Sequence, residues 1–197
     1  MKSISSIIHY PLSVIIFNFQ LSIFNFYKGG YRMFREITPY ELDKTPFEYI
    51  GKDWALLSAE KPDGAVNTMT VSWGGMGVLW NKNVFFCFVR PQRHTFGFTE
   101  AGDRISLCFF DGEYRKKLTF CGSTSGKNVD KIKECGFTVI KDKGIYYDEC
   151  RLAVIGRKIY ADTLKKDKFI NENPDQWYKD DYHTMYICEI EKILIKD

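Results

Sequence analysis

Histidine is scarce in this chain, with 3 among 197 residues, and only His94 and His183 fall where the pattern reads as a folded domain. The six cysteines, Cys87, Cys108, Cys121, Cys135, Cys150 and Cys188, form no C-x-x-C pair. A dedicated transition-metal site is therefore not expected, because such sites draw on several His or Cys ligands. Scattered through apolar segments, the cysteines are expected as free thiols packed like small hydrophobes in a reducing, cytoplasmic setting. Excess charge is lacking as well. The net charge is +3, and Lys116-Lys117 and Lys165-Lys166 are short enough to read as solvated faces. Without a basic stripe, nucleic acid is not an expected partner. There is no internal repeat, no P-loop spacing and no Ser–His–acid pattern. What is present, 45% hydrophobic and 16% aromatic residues, suits an ordered domain with a sizeable core.

The first residues read apart from that domain. Ile4 to Tyr27 is apolar but interrupted by Asn18, Gln20 and Asn25. The uninterrupted run falls short of the roughly 20 residues a spanning helix needs, and no small-residue cleavage site is evident. Lys28-Gly29-Gly30-Tyr31-Arg32 can be encoded by purine-rich DNA resembling a ribosome-binding site ahead of Met33. The expectation is that 1–32 is a non-native upstream extension, or an apolar disordered segment, and that 33–197 is the domain, with no membrane partner. A signal anchor headed by Lys2 is the competing reading. Intact-mass measurement of protein made from the native upstream DNA separates them: a mass including Met1 excludes the false start.

Within 33–197, Thr38-Pro39-Tyr40-Glu41 carries a cap, a proline at the first helical position and a capping-box acid. Trp54 to Glu60 and Val66 to Trp73 read as strands joined by the turn Pro62-Asp63-Gly64. Gly74, Gly75 and Gly77 predict a loop where backbone approaches packed chain or a ligand. Strands are expected at Asn83–Val89, Ile105–Phe110, Cys150–Ala161 and Thr184–Ile195. Short helices are expected at Thr95–Ala101, at Glu113–Phe120 with Gly122 beyond its end, and at Asn128–Cys135. The fold class is mainly β: an antiparallel split β-barrel with short helices inserted between strands.

Three polar segments could carry chemistry. In Asn67-Thr68-Met69-Thr70-Val71-Ser72-Trp73-Gly74, Thr and Ser are ordinary strand residues; the functional reading has Thr70, Ser72 and backbone near Gly74 lining a planar ligand. In Val89-Arg90-Pro91-Gln92-Arg93-His94-Thr95, a strand end turns into a helix start. Two forked guanidinium groups and a hydroxyl there make a phosphate cradle, and the plain alternative is a turn with exposed arginines. Cys121 to Lys131 includes Ser125, Gly126 and Lys127, which could form an anion-binding nest or merely connect two helices with Asn128 as N-cap.

In their order and spacing these segments resemble the flavin reductase-like family, in particular its flavoredoxin branch. The resemblance runs through most of 33–197: Asn67 to Trp73, Trp80, Val89 to Thr95, Ser125-Gly126 with Asp130-Lys131, Cys150, and Asp181-Tyr182-His183 before Met185-Tyr186. It implies an FMN-binding split barrel, a homodimer with FMN near the interface, and NADH or NADPH as electron donor. It also implies a cofactor site drawn from Asn67, Thr68, Met69, Thr70, Ser72, Trp73, Arg90, Arg93, His94, Thr95, Ser125, Gly126 and Lys127. Thr70 and Ser72 would approach the ring or ribityl chain, Arg90, Arg93 and Thr95 the phosphate. Ser125 and Lys127 would close over the cofactor, with His183 near the flavin edge. Three functions stay open: a nicotinamide-dependent flavin oxidoreductase, an electron carrier reduced by a partner protein, and a protein that holds flavin or haem without turnover.

Overall fold

The run Ala55-Leu56-Leu57-Ser58-Ala59 shows no polar alternation, and the computed structural model, which describes residues 33–196, gives the reason. Strand β2 (Ala55–Glu60) is covered on both faces: Leu57 points into one apolar cluster and Leu56 into another. Strands β6 (Arg104–Phe109) and β9 (Leu152–Thr163) repeat the pattern, with Leu107 and Val154 inward and Cys108 and Ala153 outward. A strand buried on both faces reads as a continuous apolar run.

The remaining strands are β1 (Phe34–Ile37), β3 (Val66–Val71), β4 (Gly74–Leu79), β5 (Lys82–Val89), β7 (Val139–Lys141), β8 (Ile145–Tyr147) and β10 (Thr184–Lys196). The main sheet runs β3-β2-β6-β9-β10-β5-β4, with β1 also on β10. Every pairing is antiparallel. β10 reaches three neighbours because its first half pairs with β5 and its last residues with β1, while β9 follows it throughout. Register shifts on the β9–β10 ladder coil the sheet. Its inner face closes on Tyr49, Phe85, Phe109 and Tyr186, all fully buried.

Three short helices cover the outside: α1 (Phe96–Ala101), α2 (Arg115–Ser123) and α3 (Lys131–Glu134). The second cluster sits beneath α2, α3 and the β7–β8 hairpin, built on Leu118, Cys121, Cys135, Phe137 and Tyr147. All six cysteines are free and buried, as expected. Among the described residues no three His, Cys, Asp or Glu side chains cluster as metal ligands, and no helix is long and apolar enough to cross a membrane.

Several expectations need correction. Gly74, Gly75 and Gly77 lie in strand β4, not in a loop. The close approach is to packed chain: a Cβ at Gly75 would enter the Phe86 ring, and one at Gly74 would strike the Phe86 carbonyl. β4 returns into β5 through Trp80 and Asn81, with φ of 52° and 58°, a two-residue hairpin turn in left-handed conformation. Gly122 lies inside α2 rather than beyond it, packed so that a Cβ there would come within 3.3 Å of Thr70 Cβ. Asn128 is not a cap. The backbone N–H of Asn128 instead closes a turn on Ser125 O at 3.2 Å, and Asp130 caps α3 by accepting from the Lys133 N–H at 3.1 Å. The Thr38–Glu41 capping box is present, although its helix is a single 3-10 turn. The expectation for 1–32 falls outside the described residues.

Candidate functional site

Where β3 ends, the polar stretch of the sequence opens onto a cleft of about 370 Å³. Met69, Thr70, Ser72 and Trp73 form one wall; Phe88, Arg90, Gln92 and Arg93 form the other. Gly122 of α2 and His183 complete it. The register explains why a residue so late in the chain arrives here. Thr184 pairs with Val89, which places His183 beside Arg90 at the adjoining strand ends.

One end of the cleft is aromatic. The rings of Trp73 and His183 lie 5.3 Å apart, Trp73 meets Trp177 edge-on at 5.8 Å, and Phe88 meets His183 at 6.1 Å. Tyr178 Oη lies 2.9 Å from His183 Nδ1. Burial, with Arg90 close by, lowers the His183 pKa to about 4. At neutral pH this imidazole is therefore an uncharged hydrogen-bonding ring.

The two arginines have different fates. Arg90 Nη1 pairs with Asp181 Oδ2 at 3.0 Å, its Nη2 donates to the Trp177 carbonyl, and its guanidinium lies 5.1 Å from the Tyr178 ring centre. Gln92 Nε2 donates to the same Asp181 oxygen at 2.5 Å. Arg90 lines the cleft, with its charge paired to Asp181, and is engaged in holding the 164–183 connection against the end of β5. Arg93 is half-buried and donates through Nη2 to Gly122 O at 2.6 Å. No carboxylate figures among the causes of its pKa shift; burial and Arg90 lower that pKa.

The other expected site residues divide. Asn67, His94, Gly126 and Lys127 line an adjoining groove of about 500 Å³ rather than the cleft. Burial and the nearby lysines Lys61, Lys127 and Lys131 lower the His94 pKa. Thr68 is 0% exposed and faces the core, accepting from Ser58 Oγ and donating to Leu57 O, both at 3.0 Å. Its expected role as a ligand contact is corrected on that ground. Thr95 is also buried; its hydroxyl accepts from Asn67 Nδ2 at 3.0 Å, so it braces the loop instead of facing the cleft. Ser125 is exposed and accepts from the Lys127 N–H at 3.3 Å. Thr70 does line the cleft, but its hydroxyl is spent on Leu118 O at 2.5 Å.

Some residues escaped the sequence reading. Trp177 and Tyr178 come from the long connection between β9 and β10, where two aromatics in a charged stretch were the available signal. Lys131 is 3% exposed and sits behind the cleft, donating through Nζ to Cys121 O at 3.0 Å.

No family model matches this chain, and no curated protein matches its sequence. Solved structures do match in shape. A flavoredoxin from Desulfovibrio vulgaris (Miyazaki F) superposes with a TM-score of 0.58 at 17% identity, over 73% of this chain and 69% of the other. A flavoredoxin from Methanosarcina acetivorans gives 0.58 at 22% identity, over 74% and 69%. The FMN-binding domain of a flavin reductases-like enzyme from Shewanella baltica OS155 gives 0.62 at 12% identity, over 85% and 80%. The fold is the flavin reductase-like split barrel. In this split barrel the cleft falls beside the last residues of β3, between the ends of β5 and β10, and the aromatic and cationic side chains meet there.

Proposed function

We propose that the chain binds FMN in the cleft and uses it to pass electrons from a nicotinamide donor to an acceptor. One observation carries the reading: a single cleft has an aromatic wall of Trp73, Phe88 and His183 and a guanidinium, Arg93, with no carboxylate partner among the described residues. A planar ring suits the first and a phosphate the second. The naming of FMN in the Shewanella baltica structure adds support at the level of fold.

The flavin would supply the redox chemistry when bound. The chain's own residues would bind and orient it. Arg93 offers charge-assisted donors, the neutral His183 ring keeps a hydrogen bond with Tyr178 and adds no charge at the aromatic end, and Trp73 offers a ring at the cleft wall. No protein nucleophile is required, since hydride transfer to a flavin depends on alignment.

A second reading has its own observation. Trp177, fixed by the Arg90 grip on its carbonyl, stands edge-on to Trp73 and narrows the aromatic end. A narrowed ring face favours an electron carrier served by a partner protein over an enzyme that must stack a nicotinamide. Anaerobic mixing of the FMN-loaded protein with NADH and with NADPH separates the two. Bleaching of the flavin bands by either donor is the expected result. Bands that persist with both, yet bleach with dithionite, favour the carrier. Absence of any flavin binding removes both.

A further inference from the structure

The least economical feature outside the cleft lining is a buried ammonium with no acid. Lys131 is 3% exposed, and the groups that act on it are Arg93, Cys121 and Cys135, with no carboxylate among them. The adjacent Asp130 is occupied in capping α3. Lysine is almost never this buried without an acid to pair with, because taking a lone charge out of water is costly.

Its placement gives the reason. Lys131 Nζ donates to Cys121 O, and Arg93 Nη2 donates to Gly122 O. Two cations thus cap consecutive carbonyls in the last turn of α2. The helix dipole offers roughly half a negative charge there, against two full positive charges. About 1.5 positive charges remain uncompensated, which is close to the charge of a phosphate monoester at neutral pH. Gly122, gripped by Arg93, lines the cleft, so the surplus faces it.

We infer that Lys131 is a specificity-determining residue that favours a phosphorylated flavin over its unphosphorylated counterpart, acting through buried charge behind Arg93 rather than by contact. This rests on the proposed binding of flavin in the cleft. Lys131 acts through Arg93 and the end of α2, so it is a positioning residue.

The test compares FMN with riboflavin, which differ by the phosphate alone, by flavin-fluorescence titration of the full chain. Burial lowers the Lys131 pKa to about 8, so its charge is present at pH 7 and largely lost by pH 9. Across that range the phosphate keeps its charge, since its second pKa is near 6. Over the same range Arg93 remains a cation, burial pushes Cys121 up to about 12 so that it stays a thiol, and His94, lowered from 6.5, stays neutral. In the unmutated protein the preference for FMN over riboflavin should therefore fall several-fold from pH 7 to pH 9. Lys131→Met should lower that preference on the order of tenfold at pH 7 and make it independent of pH. Lys131→Arg should restore the preference and keep it to pH 9. A purely structural lysine would change riboflavin and FMN binding together, and that outcome overturns the inference. So does an unmutated preference that stays flat with pH, which needs no variant to fold. Strong binding of FMN by Lys131→Met with its preference and pH slope intact would remove this inference while leaving the proposed function standing. Failure of the unmutated chain to bind either flavin would remove both.

Discussion

Replacing Arg93 by Ala should raise the dissociation constant for FMN roughly 10- to 150-fold, with riboflavin binding changed no more than about threefold. The magnitude follows from hydrogen bonds to a charged group, which contribute about 1.5–3 kcal/mol, at 1.4 kcal/mol per factor of ten. Arg93 is the arginine to choose because the structure separates it from Arg90. Arg90 is neutralised by Asp181 and occupied by the Trp177 carbonyl. Arg93 has only the Gly122 carbonyl to satisfy, at 2.6 Å, which leaves most of its five donors for an anion. Arg93→Lys should fall between the two, since it keeps the charge and loses the fork. Fluorescence titration with FMN and with riboflavin measures each affinity. Equal loss of FMN and riboflavin would mean that Arg93 acts by supporting α2 rather than by holding phosphate. Undiminished FMN affinity would place the phosphate elsewhere, with the Lys127 and His94 groove the next position to test.

That alternative position exists because the expected site residues were one list in the sequence and two places in the structure. Ser72, Trp73 and Arg93 were legible as polar or aromatic breaks at the ends of strands, where a barrel opens. The division was not legible. Whether His94 shares a cavity with Arg93 depends on how the chain turns over one residue, and Thr68 and Thr70 share one face of β3 and differ only in what covers it. Period-2 alternation puts Thr68 and Thr70 on one face, and it is silent on how deep each lies. Thr68 is drawn into a buried network with Ser58 and Tyr147, while Thr70 lies near the open edge under α2. Lys131 belongs with Asp130 to the resemblance, but its burial was unreadable for a different reason: nothing local distinguishes a buried lysine from an exposed one. The strands themselves were mostly legible, since β2, β6 and β9 carry double-sided apolar runs and the hairpin at Pro62-Asp63-Gly64 carries its turn residues. β4 was missed because Gly74, Gly75 and Gly77 look like a loop until Phe86 is seen packed against Gly74 and Gly75.

The barrel has a second such place, and it carries the larger effect on stability. Gly156→Ala should destabilise the fold by about 3 kcal/mol, near the upper end for overpacking a core position. Gly156 sits in β9 opposite Ile190 of β10 and Ile105 of β6, between the two register shifts of the β9–β10 ladder. The coil is tight there. A Cβ would lie 2.6 Å from Phe85 Cε1, 2.9 Å from Cys188 Cβ and 2.9 Å from the Glu189 carbonyl oxygen. Phe85 and Cys188 are fully buried, and the carbonyl is backbone, so no flexible side-chain end can yield. Relief would require β9 and β10 to separate where the sheet bends, which close packing resists. Gly97→Ala provides the contrast: nothing lies within 4 Å of its would-be Cβ, and in helix α1 the change should be neutral or stabilising by up to about 1 kcal/mol. Denaturant unfolding of the full chain reads both. A Gly156→Ala midpoint within about 0.5 kcal/mol of the unmutated protein would show that the β9–β10 coil is looser than these distances require.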